Sequence, residues 1–257
     1  MLANLRYKMK NLVYHLASMR VPHPRSDANA AVQAGFKSQC GQDQFVAERL
    51  GFLRNGVFVD IGANDGVTLS NSYYFEKELG WTGVAVEPLR SAYEKLASSR
   101  SCDLVHGCVS DVAGEVEFLE CDSMNGMLSG IASKMDSKQL RTLERTRLAQ
   151  NGIKQMTQVE SVTPERLLAD HGITRIDYLS IDTEGGELDI LRSFDFDKVF
   201  VRVISVENNH YSLAFRKYMR SCGFRLVAIL DHDEIFENTR AENAAVSPGI
   251  LQRRQAA

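Results

Sequence analysis

The chain has 257 residues, 44% hydrophobic and 25% charged, so it can bury a sizeable core and is predicted to form one α/β domain with appendages. Its net charge of −3 gives no support for nucleic acid as an obligate partner, which usually requires a basic surplus. Its five cysteines are odd in number and form no Cys-x-x-Cys pair, which argues against a disulfide framework or a zinc site and indicates reduced thiols in a cytoplasmic compartment.

The first 25 residues are predicted to form a basic amphipathic helix. They contain five Lys or Arg residues and no acidic residue, and their apolar residues share one helical face: Leu2, Leu5, Met9, Leu12, Val13 and Leu16. No apolar segment reaches the roughly 20 residues of a membrane span or the shorter core of a signal peptide. The helix could lie on an anionic membrane surface, although packing on its own domain or on a partner chain is the favoured interpretation.

These features divide the chain into three parts. Residues 1–35 hold the basic helix and a linker, residues 36–240 form the main domain, and residues 241–257 form a loosely held tail.

A short apolar strand, Val57 to Ile61, leads into a tight loop that contains Gly62 and Gly66. The two glycines would let backbone approach a ligand, and Asp60 places a carboxylate at the carboxyl end of the strand, where open α/β sheets bind ligands. Glu87 closes the next apolar run and could accept hydrogen bonds from both hydroxyls of a ribose.

The loop does not match the common phosphate-binding motifs. Counted from Gly62, a dinucleotide fingerprint would need glycine at positions 64 and 67, which are Asn64 and Val67, and a P-loop would need a lysine after Gly66. A nucleoside-like ligand without phosphates remains, and S-adenosylmethionine is the common one. The alternative is a strand and turn with a structural role only.

The middle of the chain is predicted to alternate helices and strands. Helices are expected from Gln42 to Leu53, from Ser70 to near Gly80 and after Pro88, with a third strand from Leu104 to Val109. A hairpin from Glu115 to Glu120 and from Val159 to Val162 should flank an excursion, residues 122–156. Its methionines and glycines suit an adaptable lid beside the site. A plain helical insertion exposed to solvent explains the same residues equally well.

A second strand that ends in acids and glycines runs from Ile176 to Asp182. We expect Asp182 to lie beside the Asp60 loop, whereas Glu184 and Glu187 could simply stabilise the helix that follows. A β-branched strand from Val199 to Val206 leads to His210, which would share the same rim and could take a proton from a hydroxyl.

Taken together, several motifs make the sequence resemble the FkbM family of S-adenosylmethionine-dependent methyltransferases. The similarity runs in unbroken order from about Ser38 to Phe236, and it is carried by residues 58–66, Ser70-Asn71-Ser72, Gly80-Trp81-Thr82-Gly83, Glu87-Pro88 and residues 179–187. It implies a class I methyltransferase fold: a Rossmann-like, mostly parallel sheet of seven strands with the last antiparallel, helices on both faces, and O-methylation of sugars or of polyketide-like metabolites.

The resemblance also implies roles for individual residues. The methionine end of S-adenosylmethionine would be held by Asp60, Gly62, Asn64 and Gly66, its ribose by Glu87, and its adenine would lie near Val109, Ser110 and Asp111. Asp182 would border the sulfonium. The chain departs from the family pattern at Thr183 and Gly186, where an aliphatic residue and an alanine are common, so the substrate side is harder to infer.

Methyl transfer needs the acceptor hydroxyl aligned with the methyl group and sulfur, and a base to take its proton. His210 is the expected base and Glu184 the second choice, with S-adenosylhomocysteine as product. Magnesium held by Asp182, Glu207 and Asn208 is an alternative that we do not favour. The rival functions are a non-catalytic cofactor-binding module and a nicotinamide-dependent oxidoreductase, and the oligomeric state is open.

Overall fold

The computed structural model describes residues 13–19, 21–22 and 35–240, with only the backbone of Asn125. The predictions for Leu2, Leu5, Met9 and Leu12, for the linker and for the tail after residue 240 fall outside these ranges.

Between residues 35 and 240, α-helices and strands alternate much as the sequence predicts. The helices are α1 Gln42–Arg49, α2 Tyr73–Lys77, α3 Arg90–Ser99, α4 Ser137–Ala149, α5 Pro164–Asp170, α6 Glu187–Ser193 and α7 Leu213–Ser221, with a 3₁₀ turn at Ser123–Gly126. The strands are β1 Val57–Ile61, β2 Thr82–Glu87, β3 Asp103–His106, β4 Cys108–Val109, β5 Gly114–Cys121, β6 Gly130–Ile131, β7 Lys154–Val162, β8 Arg175–Ile181, β9 Phe200–Glu207, β10 Phe224–Leu230 and β11 Asp233–Asn238.

The main sheet has seven strands in the order β10-β11-β9-β8-β1-β2-β3. All neighbours pair in parallel except β11, which is antiparallel to both β9 and β10. Strands β1 and β8 are buried along nearly their whole length, as expected for a sheet covered by helices on both faces. The predicted class I methyltransferase fold is confirmed, including its antiparallel last strand.

A second sheet, in the order β4-β7-β5-β6, lies after β3. Its centre is the predicted hairpin, in which β5 pairs antiparallel with β7 from Gly114↔Ser161 to Cys121↔Lys154. The predicted strand from Leu104 to Val109 is split at Gly107, because β3 pairs with β2 in the main sheet while β4 pairs with β7 in the second. A Cβ at Gly107 would lie 2.8 Å from the Glu160 carbonyl oxygen, so a side chain would obstruct this transfer between sheets.

The described part of the N-terminal segment packs on the domain. Residues 13–18 are helical, and the buried Tyr14 hydroxyl donates to Glu234 Oε1 at 2.8 Å. Arg216 Nη2 donates to Ser18 Oγ, and Ile229 N donates to the Pro22 carbonyl at the free edge of β10. Tyr14 and Ser18 are thus the buried residues of this helix. Val13 and Leu16, the described residues of the predicted apolar face, are exposed.

No helix in the described ranges is long and apolar enough to cross a membrane. The five cysteines are unpaired.

Candidate active site

A cavity of about 400 Å³ opens at the carboxyl ends of β1, β2, β8 and β9. This volume falls in the range of small-molecule sites. The predicted site residues that line it are Asp60, Gly62, Asn64, Glu87, Val109, Asp182, Glu184 and His210. The expectation that the acid-tipped strands and His210 share one rim is therefore confirmed.

Gly62 allows the β1 loop to pass directly against the end of β8. Its φ is +91°, and a Cβ would lie 1.8 Å from the Asp182 carbonyl oxygen. The Asp182 amide donates to the Ile61 carbonyl at 3.0 Å, and Gly62 N donates to Val86. These contacts fix the Asp60 and Asp182 strand ends side by side, which is why the two carboxylates reach the same cavity.

Asp60 is buried and held by a polar network. The Ser72 hydroxyl donates to Asp60 Oδ2 at 2.5 Å, and Arg100 Nη2 donates to Ser72 Oγ at 3.0 Å. The Arg100 side chain is fully buried and pairs with Glu76 at 2.6 Å. Burial raises the pKa of Asp60, although Ser72 and Arg100 oppose this effect.

Glu87 connects the ends of β2 and the β1 loop. Its Oε2 accepts from Asn64 N at 2.8 Å and its Oε1 accepts from Leu89 N at 2.7 Å. Burial raises its pKa to about 7 in spite of these two bonds. Because each carboxylate oxygen has a second lone pair, Glu87 can still accept two hydroxyl hydrogens from within the cavity.

Three further carboxyl groups line the cavity after β8 and at the end of β9: Asp182, Glu184 and Glu207. Burial raises the pKa of Asp182 and of Glu207, and neighbouring carboxylates raise both further. The pKa of Glu184 is raised to about 7 by burial and by Glu187. A cavity with five carboxyl groups favours cationic ligands and hydroxyl-rich ligands.

His210 lies at the mouth of this acidic side. Its Nδ1 is 3.4 Å from Asp136 Oδ2, and its side chain is 34% exposed. The other oxygen of Asp136 caps α4 by accepting from the amides of Lys138 and Gln139. The carboxylate that begins α4 thus also lies beside Nδ1 of the imidazole, and among the described residues no contact is recorded for Nε2.

Some predicted site residues lie elsewhere. Gly66 does not line the cavity, because a Cβ there would meet Leu96 and Arg100, and its carbonyl accepts from Arg100 Nη1. Ser110 bonds to Val112, and Asp111 pairs with Lys134 at 2.8 Å, so of the predicted adenine neighbours only Val109 reaches the cavity.

One of the three candidate magnesium ligands is already hydrogen-bonded elsewhere. Asn208 is committed to the start of α7, where its Oδ1 accepts from Ser212 N and its Nδ2 donates to Ser212 O. Across the residues that the structure describes, no group of three His, Cys, Asp or Glu side chains could hold a metal ion.

Part of the excursion lines the cavity, and its role as a lid stays a prediction. Met124, Met127 and Met135 line it together with residues of α4, whereas Met156 is exposed on β7. Lys134 fastens the segment by bridging Asp111 and Asp189, each at 2.8 Å. Whether the segment moves is a prediction.

Three cavity or network residues were not predicted. Asn71 Oδ1 and His232 Nδ1 are buried at the cavity without a hydrogen-bond partner among the described residues. The polar triplet Ser70-Asn71-Ser72, which suggests only a helix start, could have indicated Asn71. Nothing in the local sequence indicates a role for Arg100, the residue that follows the last turn of α3. Its side chain is buried because it donates hydrogen bonds to Glu76 and Ser72 in the core.

The family model described as "Methyltransferase FkbM domain" matches residues 60–226, about two thirds of the chain. The chain belongs to the FkbM methyltransferase family. A search of curated proteins finds no match.

Solved structures similar to this FkbM chain share little sequence with it. The FkbM methyltransferase from Methylobacillus flagellatus KT is 14% identical with a TM-score of 0.45, and the match covers 74% of this chain but only 46% of that one. A TehB-like S-adenosylmethionine-dependent methyltransferase from Corynebacterium glutamicum is 9% identical (TM-score 0.39, 89% and 99% covered). The N-terminal domain of human METTL16 in complex with S-adenosylhomocysteine is 13% identical (0.36, 76% and 68%).

The side chains that line the cavity of this FkbM chain fit S-adenosylmethionine. The unpartnered Asn71 Oδ1 and the Asp60 carboxylate offer acceptors to an ammonium group, and Glu87 offers acceptors to a ribose. Those of the five carboxyl groups that ionise complement the positive charge of the donor.

Proposed function

We propose that this chain is an S-adenosylmethionine-dependent O-methyltransferase whose acceptor is a sugar hydroxyl. The observation that carries the proposal is that Glu184, Glu207 and His210 line the same cavity as Asp60 and Glu87, at the ends of β8 and β9 rather than of β1 and β2. Carboxylates and imidazole accept hydrogen bonds from hydroxyls, whereas an acidic acceptor would be repelled. Among the described cavity residues, Lys138 is the one lysine or arginine.

The bound cofactor would supply an electrophilic methyl group next to the ends of β1 and β8. The chain's own task is to align the acceptor oxygen and to take its proton, since alignment supplies much of the acceleration. Glu207 and Glu184 would accept hydrogen bonds from neighbouring hydroxyls and so fix the orientation of the ring.

The base is His210 or Glu184. Asp136 beside Nδ1 favours a proton on that nitrogen, so Nε2 of His210 is the acceptor. Glu184 has a pKa of about 7, since burial and Glu187 raise it, and this value also suits a base at neutral pH.

A second acceptor class is favoured by one observation. Met124, Met127, Leu128 and Met135 add an apolar wall to the cavity, which would suit a polyketide-like acceptor with a hydroxyl.

The test is incubation of the full chain with isotopically labelled cofactor and with separate glycan, lipid, small-metabolite, protein and nucleic-acid fractions, followed by mass spectrometry for the gain of one methyl group. Label in a sugar-containing fraction is expected. Label only in protein or in nucleic acid would contradict the proposal.

The base is identified by His210→Ala and Glu184→Gln, each with cofactor binding measured alongside turnover. Removal of a general base lowers kcat by about 10²–10⁴-fold while cofactor affinity stays unchanged. His171→Ala is the matched control, because His171 also pairs with a carboxylate, Asp103 at 3.0 Å, but lies away from the cavity. Unchanged turnover in both variants would remove these residues as bases.

A further inference from the structure

A groove of about 640 Å³ lies between the N-terminal segment, α7 and β10, and it shares no lining residue with the cavity. Its apolar lining includes Leu213, Leu226 and Phe236. Its charged lining is four cations, Arg216, Lys217, Arg220 and Arg225, and no acidic residue of the described chain lines it. This concentration of positive charge is notable in a chain whose net charge is −3.

The four cations are not neutralised equally. Arg216 pairs with the buried Glu234, and Arg225 shares Glu237 with Arg49. Lys217 and Arg220 are exposed, and no carboxylate among the described residues lies within ion-pair distance of either. Within the part of the chain that the structure describes, the groove therefore keeps an uncompensated positive charge at its rim.

The helix that forms one wall of the groove exposes apolar side chains. Ala17 and Val21 line the groove, while Val13, Leu16 and Met19 are 50%, 59% and 77% exposed. The helix is held in this orientation by Tyr14, whose hydroxyl bonds Glu234 and whose ring lies 4.1 Å from the Arg216 guanidinium. Apolar side chains are thus presented to solvent beside a basic groove.

We infer that residues 13–19 and this groove form a face that docks on an anionic lipid membrane. Exposed apolar side chains beside lysine and arginine suit a lipid interface, where the former enter the acyl boundary and the latter meet anionic headgroups. A nucleic-acid surface would use the cations but would leave Leu16 and Met19 in water. The sequence before residue 13 adds Arg6, Lys8 and Lys10 and no acid.

This face lies next to the mouth of the cavity. The rings of Tyr14 and His15 lie 5.1 and 5.8 Å from that of Tyr211, which is 5.4 Å from the ring of His232. Since His232 and His210 line the cavity, docking through this face would bring the cavity entrance close to the headgroups.

The test is co-sedimentation of the full chain with vesicles, which needs no methyl transfer and so stands apart from the proposed activity. Binding is expected to vesicles of equimolar phosphatidylglycerol and phosphatidylcholine, and loss of most binding at high salt. Equal binding to phosphatidylcholine alone, or no binding to either, would overturn the inference.

Two variants identify the face. Lys217→Ala with Arg220→Ala is expected to weaken binding to the anionic vesicles about 25-fold, roughly fivefold for each charge. Leu16→Ser with Met19→Ser is expected to weaken it about tenfold. The control, Lys95→Ala with Lys198→Ala, removes two exposed charges elsewhere and should change binding less than about twofold. If the control weakens binding as much as the groove variant, the face is not the docking surface.

Discussion

Gly62 is the residue at which the site tolerates no side chain. Its positive φ alone would disfavour other residues, but the close approach of the Asp182 carbonyl is the stronger constraint. Relief of that contact would require the ends of β1 and β8 to separate. The separation would also move Asp60 and Asp182 apart.

Gly62→Ala is expected to destabilise the fold by several kcal/mol, on the order of 3 or more, since both backbone strain and overlap must be relieved. Gly172→Ala is the matched control, because its φ is +63° but a Cβ there would meet nothing within 4 Å. The control should lose about 1–2 kcal/mol from strain alone. Urea unfolding measures both variants, and equal losses would show that the Asp182 contact does not matter.

At the scale of elements, the excursion between β5 and β7 contributes one side of the cavity. Lys134 joins it to Asp111 and Asp189, and Gly185 and Gly186 make room for Lys134: a Cβ on them would lie 2.9 Å from its carbonyl oxygen and 3.3 Å from its Cγ. The departure from the family pattern at Gly186 is therefore explained by the packing of this segment.

Lys134→Ala should loosen α4 over the cavity. Its Nζ bridges two carboxylates and is 19% exposed, so we expect a loss of about 1 kcal/mol and amide exchange in residues 137–149 about fivefold faster. Lys198→Ala, which removes a lysine between Glu165 and Asp195 that is 73% exposed, is the control and should have almost no effect. Exchange that is unchanged in α4 would show that Lys134 does not fasten the segment.

The order of elements was predictable because each carries local signals. Thr163-Pro164 begins α5 with a side-chain cap, and β1 spans Val57–Ile61 as predicted. The sheet in which a strand pairs is not a local property, so the split at Gly107 was missed. For the same reason Gly66 was assigned to the ligand. In the structure it packs against Leu96 of α3, which comes 30 residues later in the chain.

At the scale of the whole molecule, several carboxyl groups are buried away from water. Burial raises the pKa of Glu87 and Glu184 to about 7 and that of Asp233 to about 6. These groups ionise near 4 when the chain unfolds, so at neutral pH the folded state holds protons that the unfolded state releases. This contribution to stability should thus be fully present below about pH 4, where both states hold the protons, and should be lost as the pH rises from there through the raised pKa values.

The ligand-free protein is therefore expected to have a higher Tm at about pH 6 than at about pH 8. Glu87→Gln with Glu184→Gln should reduce this difference, because the two side chains no longer titrate. Differential scanning calorimetry of both proteins is the measurement. A Tm that rises between these pH values would show that the folded state does not raise the pKa values of these carboxyl groups.

The central claim is that the β1 and β2 ends bind S-adenosylmethionine through Asp60 and Glu87. Isothermal titration calorimetry should show one saturable site for S-adenosylmethionine and for S-adenosylhomocysteine. Glu87→Gln should weaken it about tenfold or more, because it replaces one of the two acceptor oxygens with an amide donor. Glu94→Gln, in an exposed pair with Arg90, should bind as the wild type does. A folded protein that gives no heat with either compound would contradict the claim.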